Sequence, residues 1–155
     1  NGRYYKVKGE KDVLKGVFTF FTDHFSTYAI MEAEAADQII EEQTNARLKA
    51  GVENTTIKMY YKKGEIGKGW IKLRYKKSYG YKVDNYEIFR SAKKKTNFGE
   101  KPWFVTKTNK TSGYYKNGKS VKKGTRYYYK MRGVREIAGE TYYTQWSNVV
   151  MRTGR

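Results

Sequence analysis

The chain has 155 residues, no cysteine, one histidine and a formal net charge of +18. That length allows a sizeable core, while the missing thiols exclude disulfides and thiolate chemistry. A lone histidine without cysteine leaves no zinc or copper site of usual composition.

The charge is uneven. Residues 1–50 hold seven Lys/Arg against eight Asp/Glu, and residues 51–155 hold 26 against seven. The shift sets a boundary near residue 51 and predicts that the second part is drawn to polyanions at low salt. With 16 tyrosines, 15 glycines and a single proline, strands and turns are favoured over helices. No run of apolar residues is long enough to cross a membrane as a helix.

Residues 1–32 read as strands: RYYKVKG, GVFTFFT and STYAIME, with EKDVLKG and DHF as the turns between them. So few strands are marginal without a partner sheet. The piece is therefore expected to be the closing part of a truncated β-rich module, leaning on neighbouring domains of a parent chain. Its edges also predict a homodimer through residues 1–32.

Residues 33–52 read as a linker helix. Glu34, Asp37, Glu41 and Glu42 come early and Arg47 and Lys49 late, which suits the helix dipole. Gly51 follows as a candidate C′ residue. The apolar stripe of Ala36, Ile39, Ile40, Ala46 and Ala50 is thin, as in a connector.

From residue 53 onward seven short strands are predicted: TTIKMYY, GWIKLRY, NYEIFRS, PWFVTKT, GYYKN, TRYYYKMRGVRE and TYYTQWSNVVMR. Gly- and Lys-rich turns separate them. Alternation fixes their faces. Tyr127, Tyr129 and Met131 share an apolar face, and Tyr128, Lys130 and Arg132 a polar, cationic one. Ile71, Leu73 and Tyr75 oppose Trp70, Lys72 and Arg74. Tyr86 and Ile88 point inward, and Glu87 and Phe89 outward. Tyr127, just past the turn SVKKGT, is placed to fold its hydroxyl onto upstream backbone as a tyrosine corner.

Residues 53–155 resemble a fibronectin type III domain of the kind carried by surface proteins of Gram-positive bacteria. The likeness rests on GWIKLRYKKSYGYKVDNYEIFRS, SVKKGTRYYYKMRGVRE and YYTQWSNVV. It implies a seven-stranded immunoglobulin-like sandwich, mostly β, with a core centred on Tyr75, Tyr86, Ile88, Tyr127, Tyr129 and Met131. Tyr75 stands where many members place a core tryptophan. The resemblance also implies a non-enzymatic spacer or adhesion module, extracellular, needing no cofactor. GVFTFFTDHFSTYAIME is similar to the closing strands of β-rich modules in large Firmicutes surface proteins, which points the same way.

Chemistry finds little support in the residues. Asp23 and His24 are neighbours in extended chain and point apart, so they read as a turn rather than an acid–base pair. GEIGKGW, with Gly64 and Gly67 too close for a phosphate loop, reads as a hairpin turn. The sequons at Asn54 and Asn109 matter only in a eukaryotic secretory host.

The cations interleaved with rings are the functional signal. Trp70, Lys72 and Arg74 form one set of candidate surface contacts, and Tyr128, Lys130 and Arg132 another. A sandwich would put them on opposite sheets, so they make no single groove. A solvated basic face, attachment to an anionic cell-wall polymer and nucleic-acid binding all remain open, in that order of preference. An accessory role beside a catalytic domain of a larger secreted enzyme is a further alternative.

Overall fold

The computed structural model describes residues 9–12, 17–20, 33–77, 81–93, 95–107, 109–110, 112–117 and 121–155. The chain divides into two compact units, Asn1–Arg47 and Leu48–Arg155.

In the first unit, β1 (Gly9–Asp12) pairs antiparallel with β2 (Val17–Phe20), from Gly9↔Phe20 to Asp12↔Val17. Part of EKDVLKG, expected as a turn, is therefore a strand. A ladder to a β-branched and aromatic partner outweighs the weak strand preference of Glu, Lys and Asp. Most of RYYKVKG, all of STYAIME, and Asp23 and His24 lie outside the described residues.

Helix α1 spans Ala33–Glu53 with Glu34 in its first turn. At about 1.5 Å per residue it is roughly 30 Å long. Ala46 and Ala50 are exposed, and Val52 is the buried residue at its end. Gly51 is inside the helix rather than beyond it. Its missing side chain has a steric use, because a Cβ there would collide with the Tyr81 ring. Thr55 finishes the helix: its hydroxyl donates to the Gly51 carbonyl at 2.8 Å and its amide to the Val52 carbonyl at 3.0 Å, satisfying carbonyls the helix end leaves orphaned.

The rest of the second unit is mostly β, in two antiparallel sheets. One has the order β3 (Ile57–Gly67), β4 (Trp70–Lys77), β7 (Ser112–Asn117). The other runs β10 (Val150–Thr153), β8 (Arg126–Ile137), β5 (Asn85–Ser91), β6 (Phe104–Val105), with β9 (Glu140–Tyr143) also on β8. The sheets share one apolar core, as in a sandwich. Ile57, Met59, Ile71, Leu73 and Tyr75 come from the first sheet and Tyr86, Ile88, Tyr127, Tyr129, Met131 and Val150 from the second.

Among the described residues eight strands stand where the sequence predicts seven, because TYYTQWSNVVMR is broken. Its two ends, β9 and β10, lie along the same edge of β8, from Val134↔Tyr143 to Val150↔Tyr129. Between them two hydroxyls replace backbone ladder bonds. The Thr144 amide donates to the Gly133 carbonyl at 3.0 Å, and the Thr144 hydroxyl accepts from the Gly133 amide at 2.8 Å. Ser147 does the same for Met131, with both bonds at 2.9 Å. Each hydroxyl also donates to a following carbonyl, Gln145 and Asn148 respectively. The edge thus stays satisfied while Gln145 and Trp146 bulge outward. Gly133 accommodates this crowding, since a Cβ there would stand 2.7 Å from Val83 Cγ1 and 2.9 Å from Thr144 Cγ2.

The bulged segment also ties the layers together. Asn148 pairs with β3 like a strand, its Oδ1 accepting from the Met59 amide at 2.7 Å and its Nδ2 donating to the Met59 carbonyl at 3.0 Å. Arg152 donates to the Tyr60 carbonyl at 2.7 Å. Gln145 reaches the helix end, donating through Nε2 to the Glu53 carbonyl at 2.8 Å.

Candidate functional site

The core tyrosines differ in what their hydroxyls do. Tyr75 and Tyr86 meet with ring centroids 5.0 Å apart, and Tyr129 touches Trp103 at 5.6 Å. Tyr86 is fully buried, and its hydroxyl finds no partner among the described residues. Burial, with Tyr75 adding to it, pushes that phenol far above its ordinary range. Tyr127 is latched instead: its hydroxyl accepts the Lys122 amide at 3.0 Å, the backward bond of a tyrosine corner. Arg90 lies across the Trp103 and Tyr127 rings, 4.3 and 4.7 Å from their centroids.

On the outer face of the larger sheet stand Tyr128, Lys130 and Arg132, in register with Ser91, Phe89 and Glu87. Tyr128 is half-buried. The two cations are engaged within the protein. Arg132 Nε bonds Glu87 Oε2 at 2.7 Å. Its guanidinium lies 3.6 Å from the Tyr143 ring centroid and 4.8 Å from Trp146. Lys130 Nζ is 3.8 Å from the Trp146 centroid and 4.9 Å from Phe98. Such contacts gain strength as the cation is desolvated. Burial, and then the neighbouring Arg132 charge, hold the Lys130 ammonium below the ordinary lysine pKa.

Phe89 faces outward as alternation places it, opposite Lys130, yet it is covered. It is 3% exposed, although its parity does put it on the outer face. Trp146, delivered by the bulge, covers it edge-on at 5.1 Å. Phe98 is buried nearby against Lys130. Alternation alone misses this second aromatic layer. The serine and threonine flanking the tryptophan in YYTQWSNVV were the available signal, since short hydroxyl side chains compete for backbone partners.

The outer face of the smaller sheet carries the other set. Trp70, Lys72 and Arg74 are half-buried on β4, joined by exposed Lys76 and, on β3, by exposed Lys58 and half-buried Tyr60. Lys58 is directly opposite Lys76, and Tyr60 opposite Arg74. Lys58 Nζ and Arg74 Cζ each lie 5.9 Å from the Tyr60 centroid. The Trp70 indole rests on Gly67, where a Cβ would strike the ring. The connection between these strands is a hairpin with Gly69 at φ 74°, but the turn expected over GEIGKGW narrows to Lys68 and Gly69, because Glu65, Ile66 and Gly67 pair with β4 as the end of β3. The two candidate sets are thus on different sheets and make no shared groove.

Two carboxylates, Glu87 and Asp84, are used for structure. Asp84 accepts from Arg135 and from the Glu136 amide, both at 2.8 Å. Among the described residues no group of three His, Cys, Asp or Glu gathers to hold a metal, and no described helix is long and apolar enough to cross a membrane. A cleft of about 400 Å³ beside Tyr61, Met151 and Arg152 is floored by the same arginine that binds β3. No protein-family model matches the chain, and no curated protein or solved structure matches it either.

Proposed function

We propose that residues 53–155 are a fibronectin type III module of an extracellular surface protein of a Gram-positive bacterium. In this reading it is a non-enzymatic spacer and adhesion domain, held to an anionic cell-wall polymer by charge. The strand order carries the reading. A three-stranded sheet, β3–β4–β7, faces a sheet in which β6, β5, β8 and the edge pieces β9 and β10 occupy four positions. If β9 and β10 are two parts of one interrupted strand, seven strands result, in the arrangement of such domains. The Tyr127 latch to Lys122 supports the same assignment.

A spacer needs rigidity, which a closed apolar core and a cation–aromatic lattice on one outer face supply. Adhesion by charge follows from the 26 Lys/Arg set against seven Asp/Glu in residues 51–155. Diffuse attraction of this kind is screened by salt. The test is sedimentation of the isolated chain with purified Gram-positive cell walls at about 0.05 and 0.5 M salt, spanning Debye lengths either side of about 8 Å. The expected result is binding at the lower concentration that is largely lost at the higher. Retention that ignores salt, or no retention in either, overturns the electrostatic mechanism.

A further inference from the structure

We infer that the cleft between β3 and β10 is a binding site for a carboxylate carried on an apolar stem, with Arg152 as the group that receives it. The inference goes beyond the wall-attachment reading and does not rest on it.

The cleft holds about 400 Å³ and is lined by Tyr61 and Ile66 from β3 and by Met151, Arg152, Thr153 and Arg155 from β10 and beyond it. That volume falls within the range of small-molecule sites. Alternation puts Arg152 on the same inward face of β10 as Val150, and it is 5% exposed. Its Nη1 donates to the Met151 carbonyl at 3.0 Å and its Nη2 to the Tyr60 carbonyl at 2.7 Å. These bonds anchor the guanidinium without neutralising it. No carboxylate among the described residues pairs with it, and its buried Nε finds no hydrogen-bond partner among them. Burial works against its charge, yet an arginine keeps its proton at neutral pH. A buried charge left unpaired is costly, and an anion taken into the cleft removes that cost. Nε with a neighbouring Nη forms the edge on which a planar carboxylate is held by parallel hydrogen bonds.

The choice of ligand comes from the rest of the lining. Tyr61 stands over the guanidinium, its ring centroid 4.9 Å from Cζ. It is 56% exposed, so it can turn between its own rotamers and admit a ligand to Nε. Ile66 and Met151 are half-buried and supply apolar walls. A single buried cation between apolar walls fits a singly charged head on a hydrocarbon stem. Exposed Arg155 adds attraction for the head. Inorganic phosphate carries charge but leaves the apolar walls uncovered.

The test follows the arginine Nε–H signals of the chain in proton–nitrogen correlation spectra while N-acetyl-leucine is added. It is run at pH about 6, where that carboxylate is ionised, and at about 0.15 M salt, where the Debye length is about 8 Å and diffuse attraction is screened. N-acetyl-leucine amide and inorganic phosphate are the comparison ligands. The Arg152 signal is the one missing from Arg152→Lys. Circular dichroism checks that this variant folds, and through-bond spectra of the wild type assign the signal if it does not. The expected result is a downfield shift of the Arg152 signal with the acid, and affinities for the amide and for phosphate lower by about tenfold or more. Arg152→Lys keeps the charge, loses the fork and should weaken acid binding by about tenfold. Acid and amide of equal affinity, or an Arg152 signal that ignores the acid, overturn the inference. Phosphate bound as tightly as the acid overturns the choice of ligand. Glu65→Gln, one residue before Ile66 on β3, is the last arm. Unchanged acid binding supports an open site, whereas a gain of about tenfold shows that the chain's own carboxylate fills it and overturns the inference. None of these outcomes bears on sedimentation with cell walls.

Discussion

The two sheets of the larger unit bury their inner faces in one core but handle charge on their outer faces differently. On the β5–β8 face, Lys130 and Arg132 are covered by Trp146 and Tyr143 and anchored by Glu87. On the β3–β4 face, Lys58 stands directly opposite Lys76. A cation built into a lattice stabilises the fold, whereas like charges held opposite each other across a strand pair cost stability. The same residue types thus stand in different surroundings, closely stacked on indole and phenol rings on one face and paired like with like on the other.

The largest expected effect tests the covered face. Trp146 is 43% exposed, yet it spans Lys130, Arg132 and Phe89. Trp146→Ala removes those contacts and opens Phe89 to water, and should cost about 2 kcal/mol, below the range for a fully buried tryptophan. Trp70→Ala on the other face should cost roughly half as much, since that indole chiefly covers a hairpin glycine. Urea midpoints compare the two directly. Equal losses would mean the faces are not different in kind.

Next in size is the latch. Tyr127→Phe leaves the Lys122 amide without its acceptor and should cost about 1 kcal/mol. Tyr86→Phe provides the contrast within the same core. Its hydroxyl has no partner among the described residues, so its removal should leave stability within about 1 kcal/mol, on the favourable side. The pH dependence follows from the raised phenol. A folded-state pKa above the unfolded value of 10.0 means that the native protein keeps a proton the unfolded chain releases. That stability is complete below pH 10 and is lost as pH climbs beyond it. Tyr86→Phe should make the alkaline decline shallower, read as melting temperature against pH from about 8 to 11.

These contrasts mark what could be read from residues alone. Period-two alternation places Tyr127, Tyr129 and Met131 on one face of β8, because a strand's geometry is local. The same rule puts Phe89 on the outer face but says nothing of its cover, which arrives from Trp146 through a bulge on another strand. The break in TYYTQWSNVVMR was hidden for a related reason: Thr144 and Ser147 supply ladder acceptors from their side chains, and hydrophobic period does not register hydroxyls. Gly51 looked like a helix stop, yet the helix runs on to Glu53, and the missing side chain instead leaves room for the Tyr81 ring. Lys130 and Arg132 read as offered to a ligand, when only the third dimension reveals the rings lying on them.

The smallest effect is the most discriminating, because its sign reverses between the faces. Lys58→Gln removes one member of a like-charge pair and should stabilise the free protein by about 0.3 kcal/mol at low ionic strength. The gain should vanish near 1 M salt, where the Debye length is about 3 Å. Lys130→Gln removes the cation between Trp146 and Phe98 and should destabilise by about 0.5–1 kcal/mol, with little dependence on salt because the contact is partly desolvated. The lowered Lys130 pKa works against this loss: burial disfavours the charged form, so the native state gains stability as pH rises through the depressed value toward the ordinary 10.5. The comparison is therefore made at pH 7, by denaturant unfolding at two salt concentrations. Stabilisation by Lys130→Gln would show desolvation exceeding the aromatic attraction, and the covered face would then be a strained one. Destabilisation by Lys58→Gln would show that its contact with Tyr60 matters more than its repulsion from Lys76.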